Sequence, residues 1–372
     1  MTHTNYTYCE IKQQPSTWLD SYEIVHARKN EISEFVHKYL DEGYSVVLTG
    51  AGTSAYIGDA LECSLLNTIF RGARSIATTD ILTNPNLYFD SKSKILLISF
   101  ARSGNSPESV GAVNIIEKTA GKVAHIFITC NAEGQLAKRK GDNILTILLP
   151  PETNDKSLAM TSSYSSMLLT CSMISHIDTI EEDYPLVETV SKAVAKAMEN
   201  YEGSIKEMAG RDFRRAVFLG SGSLKGVAEE SRLKLQELTD GAVMCAFDSF
   251  MGFRHGPKAV VNEETLLVYL ISPNKDVRRY EMDLVNQIRK GNKIKGAVAV
   301  YMKESSPGPV AWDLSVELDI PTNMPSCYGA VAYVFVAQML GLFKSMDLGL
   351  NPDTPSVSGN ISRVVEGVTV YQ

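Results

Sequence analysis

Short apolar runs alternate along this chain with longer stretches in which apolar positions recur every three or four residues. From Ser16 to about Leu40 the residues Trp18, Leu19, Tyr22, Ile24, Val25, Ile32, Phe35, Val36 and Leu40 fall at helical spacing. They predict a leading helix or helix pair, with residues 1–15 as a loose arm and Asp41-Glu42-Gly43 as a break. Continuous apolar runs then predict strands at 44–49, 74–78, 95–99, 123–129 and 144–148. Helices are expected over about 55–70, up to about 119, and over about 162–177. Strands that lack polar alternation and are separated by helices signify a parallel sheet covered on both faces.

The pattern restarts after a polar-faced connecting helix at 188–208. Strands are expected at 216–219, 243–247, 266–271 and 297–300, with helices reaching 238 and spanning 277–289. An almost continuously apolar helix follows at 326–343. Gly50 and Gly220 lie 170 positions apart, and Ser99 and Ile271 lie 172 apart. Two strand-to-turn units at nearly one offset indicate an internal duplication. The copies differ at the turn after the third strand, which reads A-R-S-G-N-S (101–106) in the first and S-P-N-K-D (272–276) in the second. Only the first half is equipped to hold an anion, so the second is expected to supply the chemistry.

That first turn belongs to the run from Ile95 to Ser109, an apolar strand that ends in hydroxyl, glycine and asparagine residues. Ser106-Pro107-Glu108 reads as an N-cap, a proline at the first helical position and an acidic first turn. Hydroxyls, free N–H groups and a positive helix end together suit a phosphate, although an ordinary strand-to-helix turn carries the same signature. G-A-G-T-S (50–54) is neither a dinucleotide fingerprint nor a P-loop; it offers Thr53 and Ser54 at a helix start, as ligands or as a cap. In the second half Glu230, Lys234 and Glu237 lie four and three apart on one helical face, the pattern of a solvated ion-paired helix unless a site adjoins it. F-R-H-G-P-K (253–258) sets His255 in a bent, accessible loop beside Arg254 and Lys258. A carboxylate and a histidine near a phosphate anchor are suitable for proton transfer on a sugar phosphate. No nucleophile elbow and no metal-ligand spacing among the histidines is present.

Composition narrows the class. The chain has 372 residues, 44% hydrophobic and 21% charged, with a net charge of −7, which fits a soluble protein with room for two domains and argues against broad nucleic-acid binding. Six scattered cysteines form no C-x-x-C pair and the N-terminus has no apolar core, so a reducing cytoplasm is expected. The apolar stretch from Ser326 to Phe343 just reaches the length of a membrane span. It contains glycine, alanine and tyrosine throughout and lacks basic flanks, so a buried interface helix is expected instead.

Taken together, G-A-G-T-S, S-F-A-R-S-G-N-S-P-E-S, A-M-T-S-S, E-S-R-L-K-L-Q-E-L and F-R-H-G-P-K, in this order over nearly the whole chain, resemble the double-domain SIS (sugar isomerase) family. L-T-G-A-G-T-S-A-Y-I-G-D, G-F-R-H-G-P-K and the tail N-P-D-T-P-S-V-S-G-N-I-S-R-V-V-E-G-V are similar to its AgaS branch, described as galactosamine-6-phosphate deaminase/isomerase and as tagatose-6-phosphate ketose/aldose isomerase. The resemblance implies an α/β fold of two tandem SIS domains, each a parallel five-stranded sheet flanked by helices on both faces. The expected divisions are an N-terminal arm and helix (1–43), a phosphate-binding domain (44–182), a connecting helix (183–212), a catalytic domain (213–348) and a tail over the active site (349–372).

The same resemblance implies roles for individual residues. Ser54, Ser103 and Ser106 correspond to phosphate-binding hydroxyls, with Asn105 and Ser162 in the same substrate-binding set. Glu237 corresponds to the carboxylate that moves the proton between C1 and C2. His255 corresponds to a ring-opening histidine reaching in from a neighbouring subunit, and Glu230 and Lys234 line the site. Two positions depart from the related synthase. Ala101-Arg102 stands where the synthase has serine and glutamine, and Arg102 could pair with the phosphate or with a substrate hydroxyl. Arg363 stands opposite a Schiff-base-type lysine, and an arginine does not readily form an imine. The expected reaction is deamination of D-galactosamine 6-phosphate to D-tagatose 6-phosphate by a homodimer or higher oligomer, with no metal, organic cofactor, nucleic acid or membrane involved. A plain ketose/aldose isomerase, a glucosamine-6-phosphate deaminase and a non-catalytic sugar-phosphate sensor are the alternatives.

Overall fold

The computed structural model describes residues 5–308, 310–365 and 367–371. Three helices lead the chain, α1 (Tyr6–Lys12), α2 (Gln14–Ala27) and α3 (Lys29–Asp41). The expected loose arm is therefore ordered from residue 5, its first four residues lying outside the described set. Asn5 caps α1 by accepting the Tyr8 N–H at 2.7 Å. The Asp353 carboxylate, from the far end of the chain, takes the Thr7 N–H at 2.8 Å and the Tyr6 N–H at 3.0 Å. A partner 346 residues away is invisible to local periodicity.

The first sheet comprises β1 (Ser45–Thr49), β2 (Arg74–Ser75), β3 (Lys94–Ala101), β4 (Lys122–Thr129) and β5 (Ile144–Leu148), all parallel, in the order β2-β1-β3-β4-β5. Its helices are α4 (Thr53–Leu61), α5 (Thr78–Thr83), α6 (Pro85–Tyr88), α7 (Pro107–Thr119) and α8 (Ser162–Ser175). The helix expected to run to residue 70 stops at a 3-10 turn over Glu62–Ser64, because the chain must fold back through Gly72 (φ 82°) to lay β2 beside β1. The 30-residue α9 (Ile180–Ala209) links the halves and starts earlier than the pattern predicts. Pro185 reads as a stop, yet it lies in the second turn and removes a single helical hydrogen bond.

The second sheet repeats the first. It comprises β6 (Arg215–Leu219), β7 (Met244–Asp248), β8 (Thr265–Leu270), β9 (Gly296–Met302) and β10 (Leu314–Leu318). Its order, β7-β6-β8-β9-β10, is that of the first sheet with the strands renumbered. The helices are α10 (Ser223–Leu238), α11 (Phe250–Phe253), α12 (Lys275–Gly291), α13 (Ser326–Gly329) and α14 (Val334–Asp347). Thr49 pairs with Ser99 in one sheet and Leu219 with Tyr269 in the other. Both strands therefore repeat at one offset of 170, and Tyr269 rather than Ile271 is the counterpart of Ser99. The strand reading missed β10. It is an edge strand whose burial alternates, so it lacks the continuous apolar run that marks central parallel strands.

The duplication extends to the turns. Gly52 (φ 54°, ψ −127°) and Gly222 (φ 59°, ψ −130°) stand at the N-caps of α4 and α10 in the same left-handed conformation, which a side chain would strain. The two helices then pack on one another. A Cβ on Gly226 would come within 2.3 Å of the Ala60 backbone nitrogen, so only glycine permits this approach. With Gly226 on Ala60 and Lys234 bonded to Thr53, the helices run antiparallel. The C-terminal half of α10 thus lies against the N-terminus of α4. The stretch Ser326–Asp347, apolar and long enough for a membrane span, is buried inside the fold from Cys327 to Ser345, packed on α9 and α10.

Candidate functional site

A cavity of about 550 Å3 opens where the carboxyl ends of β1 and β3 face α10. Ligands of open parallel sheets bind at this end of the strands, and the volume is in the range of small-molecule sites. Three layers build it. The turns 51–54 and 101–106 with the first turn of α7 form one wall, Leu233, Lys234 and Glu237 of α10 form another, and Leu158, Met160 and tail residues 359–365 close it.

On the first wall Ser54, Ser103 and Ser106 all border the cavity. Ser106 is the N-cap of α7, as its sequence indicates. Its hydroxyl accepts the Ser109 N–H at 3.2 Å and donates to the Ser109 hydroxyl at 2.8 Å, and Pro107 occupies the first helical position. The positive ends of α4 and α7 both abut this wall. Because Ser106 serves as a cap and as cavity wall, Ser106→Ala is expected to lower stability by about 1 kcal/mol and to raise KM. Denaturant unfolding and steady-state kinetics test the two halves separately, and an unchanged unfolding midpoint rejects the capping role.

The opposite wall carries an ion cluster. The Lys234 ammonium is wholly buried and donates to Glu237 Oε2 at 2.7 Å and to Thr53 Oγ1 at 3.0 Å, with Glu230 Oε1 at 3.3 Å. Burial alone would lower the Lys234 pKa, but the carboxylates of Glu230 and Glu237 outweigh it and raise the value. Burial pushes the Glu230 carboxyl up to about 8, opposed by Lys234. The helix face that on sequence resembled a solvated ion-paired surface is thus covered by α4. Only Glu237 of the three reaches partial exposure, its side chain 22% accessible.

Two arginines edge the cavity, and both are occupied. Arg102 Nη1 donates to the carbonyls of Leu158 at 3.1 Å and Ser157 at 3.3 Å, and Nη2 donates to the Arg363 carbonyl. Arg363 donates through Nε to the Asp155 carbonyl at 2.9 Å and through Nη2 to Asn154 Oδ1 at 3.0 Å. Neither guanidinium is held by a carboxylate among the described residues. Burial draws the Arg102 pKa down, and the charge survives because an arginine remains protonated in proteins.

Four expected site residues lie outside the cavity wall. Asn105 turns its side chain to the neighbouring loop, where Oδ1 accepts the Gln135 N–H at 3.0 Å. Ser162 is fully buried at the start of α8, donating to Asp155 and accepting from Gln13 Nε2 at 2.9 Å. Glu230 sits behind Lys234. His255 is exposed on the loop after α11 and borders no part of its own chain's cavity. Sequence reasoning did not single out Asp155, whose buried carboxylate takes the N–H groups of Thr161 and Ser163 at 2.8 and 2.9 Å, nor Glu10, which receives the Lys156 and Ser157 amides. Neither stands in a motif. Among the described residues no cluster of three His, Cys, Asp or Glu side chains is placed to hold a metal ion.

Among the described residues, the corresponding strand end of the second half is built differently. Counted from the equivalent residues Ser99 and Tyr269, the helix cap comes two residues sooner, at Asn274 rather than at the counterpart of Ser106. Seven residues beyond that cap stands Glu281, where α7 has the core residue Val113. The Glu281 carboxylate is buried and accepts the Ser272 N–H at 2.9 Å, while Arg278 takes the carbonyls of Ser272 and Pro273. The turn that borders a cavity in the first half is held in the second by side chains of its own helix.

Comparison with known proteins agrees with this fold. The SIS domain family model matches residues 39–177 and 211–342. A D-galactosamine-6-phosphate deaminase from Escherichia coli is 36% identical over 366 residues, covering 97% of this chain and 94% of that protein. Its namesake from Shewanella sp. (strain ANA-3) is 36% identical over 372 residues, covering 98% and 92%. The crystal structure of tagatose-6-phosphate ketose/aldose isomerase from Escherichia coli superimposes with a TM-score of 0.89 at 34% identity, covering 100% of this chain and 97% of that one.

Proposed function

The chain belongs to the SIS domain family, and from that premise we propose that it is a deaminating aldose–ketose isomerase of hexosamine 6-phosphates. The reaction is D-galactosamine 6-phosphate and water to D-tagatose 6-phosphate and ammonia. One observation carries the reading: a single cavity sets the Glu237 carboxylate on one wall against the hydroxyls of Ser54, Ser103 and Ser106 at two helix N-termini on the other. The second wall suits a phosphate, which leaves the sugar's reactive end for the first.

In the mechanism, the phosphate docks on the 103–106 turn and Ser54, and C1–C2 of the open chain lies against Glu237. Glu237 takes the C2 proton, the C2–H electron pair becomes the C1–C2 double bond, and O1 takes a proton from water to give a 1,2-enolamine. Return of the proton to C1 leaves the imine at C2, and water hydrolyses it to the ketose and ammonia. Lys234 donates to the Glu237 carboxylate at 2.7 Å and fixes its position. Placing the reacting carbons against one carboxylate supplies much of the acceleration. Ammonia release across hexosamine 6-phosphates, measured beside aldose–ketose interconversion, tests the reading. Interconversion without ammonia would instead support plain isomerisation, the second reading, which the name of the Escherichia coli structure favours.

His255 opens the sugar ring in this proposal, and it does so in the cavity of a second copy. It is exposed on the loop that follows edge strand β7 and α11, and Met244 of β7 and Met251 of α11 are exposed as well, which suits an interface between copies. A fully active monomer on dilution would overturn this part. The proposal also places the chain in the cytoplasm, in keeping with six cysteines that are all free.

A further inference from the structure

We propose that Arg102 is a positioning residue that fastens the C-terminal tail over the cavity, rather than a ligand of the phosphate. The proposal rests on the sugar-phosphate reading above and adds a role for one of the residues by which this chain departs from the related synthase. The guanidinium sits at the end of β3 and is 6% exposed. It reaches two segments that arrive from elsewhere, the 157–158 carbonyls and the Arg363 carbonyl of the tail. Arg363 returns the contact, its own guanidinium holding the Asp155 carbonyl and the Asn154 side chain. Tail and strap are therefore stitched in both directions, with one positive charge at each stitch.

The neighbouring carboxylates are committed elsewhere. Asp155 serves the N-terminus of α8 through Thr161 and Ser163, and Glu10 serves the amides of Lys156 and Ser157. Among the described residues the hydrogen bonds of both guanidiniums go to neutral oxygens, with the Asp155 carboxylate acting on Arg102 only through its field, against the effect of burial. The donors of Arg102 are thus committed to carbonyls of the tail and of residues 157 and 158. Tail closure depends on Arg102: the fork must stay on its three carbonyls for the tail to stay over the cavity. A lysine keeps the charge but cannot span three carbonyls in the planar fork geometry.

Arg102→Lys, confirmed folded by its unfolding transition, tests this. The readout is hydrogen exchange at the tail amides of Val357, Ser358 and Ile361, which bond to Asp240 and Ser356. With inorganic phosphate present, exchange there is expected to quicken about tenfold or more. KM for the sugar phosphate should rise about tenfold while kcat stays within about threefold. The Kd for inorganic phosphate should change by no more than about threefold if the residue is not a ligand. Arg363→Ala, which removes the return stitch and leaves its carbonyl, should quicken the same amides. Phosphate affinity that falls as far as KM rises, with tail exchange unchanged, would make Arg102 a phosphate ligand and overturn the proposal, as would no change in tail exchange in either variant. Exchange and inorganic phosphate binding need no turnover, so they decide the matter even if no hexosamine 6-phosphate proves to be a substrate.

Discussion

Glu237→Gln is expected to bind sugar phosphate nearly as the wild-type chain does and to lose exchange of the substrate's C2 proton with solvent. The substitution keeps the shape, and the amide oxygen can still accept from Lys234, whose ammonium stands 2.7 Å from Glu237 Oε2. What it removes is the base. General acid–base catalysis contributes roughly 10²–10⁴-fold, and the loss should appear in kcat with KM little altered, the mark of an interaction made in the transition state. The phosphate wall is on other elements, the turns after β1 and β3, so binding has no reason to weaken. The measurement is solvent deuterium entering C2, followed by NMR beside a direct binding titration. Exchange that persists near the wild-type rate would sink the assignment and direct attention to another group, with Lys234 the nearest.

How far the sequence revealed this arrangement depends on the range over which each feature is determined. Central parallel strands such as β3 and β8 are apolar on both faces, so their runs are legible locally, and the repeat of one half in the other followed from them. The edge strand β10 was not legible, because one side faces solvent and its five residues alternate. Helix α1 owes its place to Asp353, and the partners of Arg102 lie 55, 56 and 261 residues away, distances over which no periodicity informs. In the site, the spacing of Glu230, Lys234 and Glu237 put them on one face, but only the approach of α4 at Gly226 decides that this face is dry. Ser162 shows the opposite limit. A hydroxyl run at a helix start reads equally well as ligand or as scaffold, and here the Asp155 carboxylate claims it.

Lys234→Met is expected to cause the largest loss of stability of any change at the site. The methionine matches the stem in volume, so packing alone costs little. The ammonium, however, is wholly buried between two carboxylates, Glu237 at 2.7 Å and Glu230 at 3.3 Å. Removing one partner of a buried ion cluster leaves uncompensated charge and typically costs about 3–5 kcal/mol. The pH dependence identifies the cause. The Glu230 pKa is already pushed up to about 8 by burial, with Lys234 holding it down. For an acid whose folded pKa is raised, the stability contribution is fully present below the unfolded value, about 4.3, and is lost as pH rises through the folded value. Without Lys234 the folded value climbs further, so the gap between variant and wild type should stay level up to about pH 7 and widen above about pH 8, where wild-type Glu230 ionises and its loss of stability levels off while that of the variant continues. Adding Glu230→Gln removes the group that must ionise, and the double variant should recover more of the gap above about pH 9 than near about pH 6. Denaturant unfolding of the three proteins on both sides of the wild-type Glu230 value measures this. A gap that is the same on both sides, and untouched by Glu230→Gln, would show that the lysine acts through packing and not through its charge.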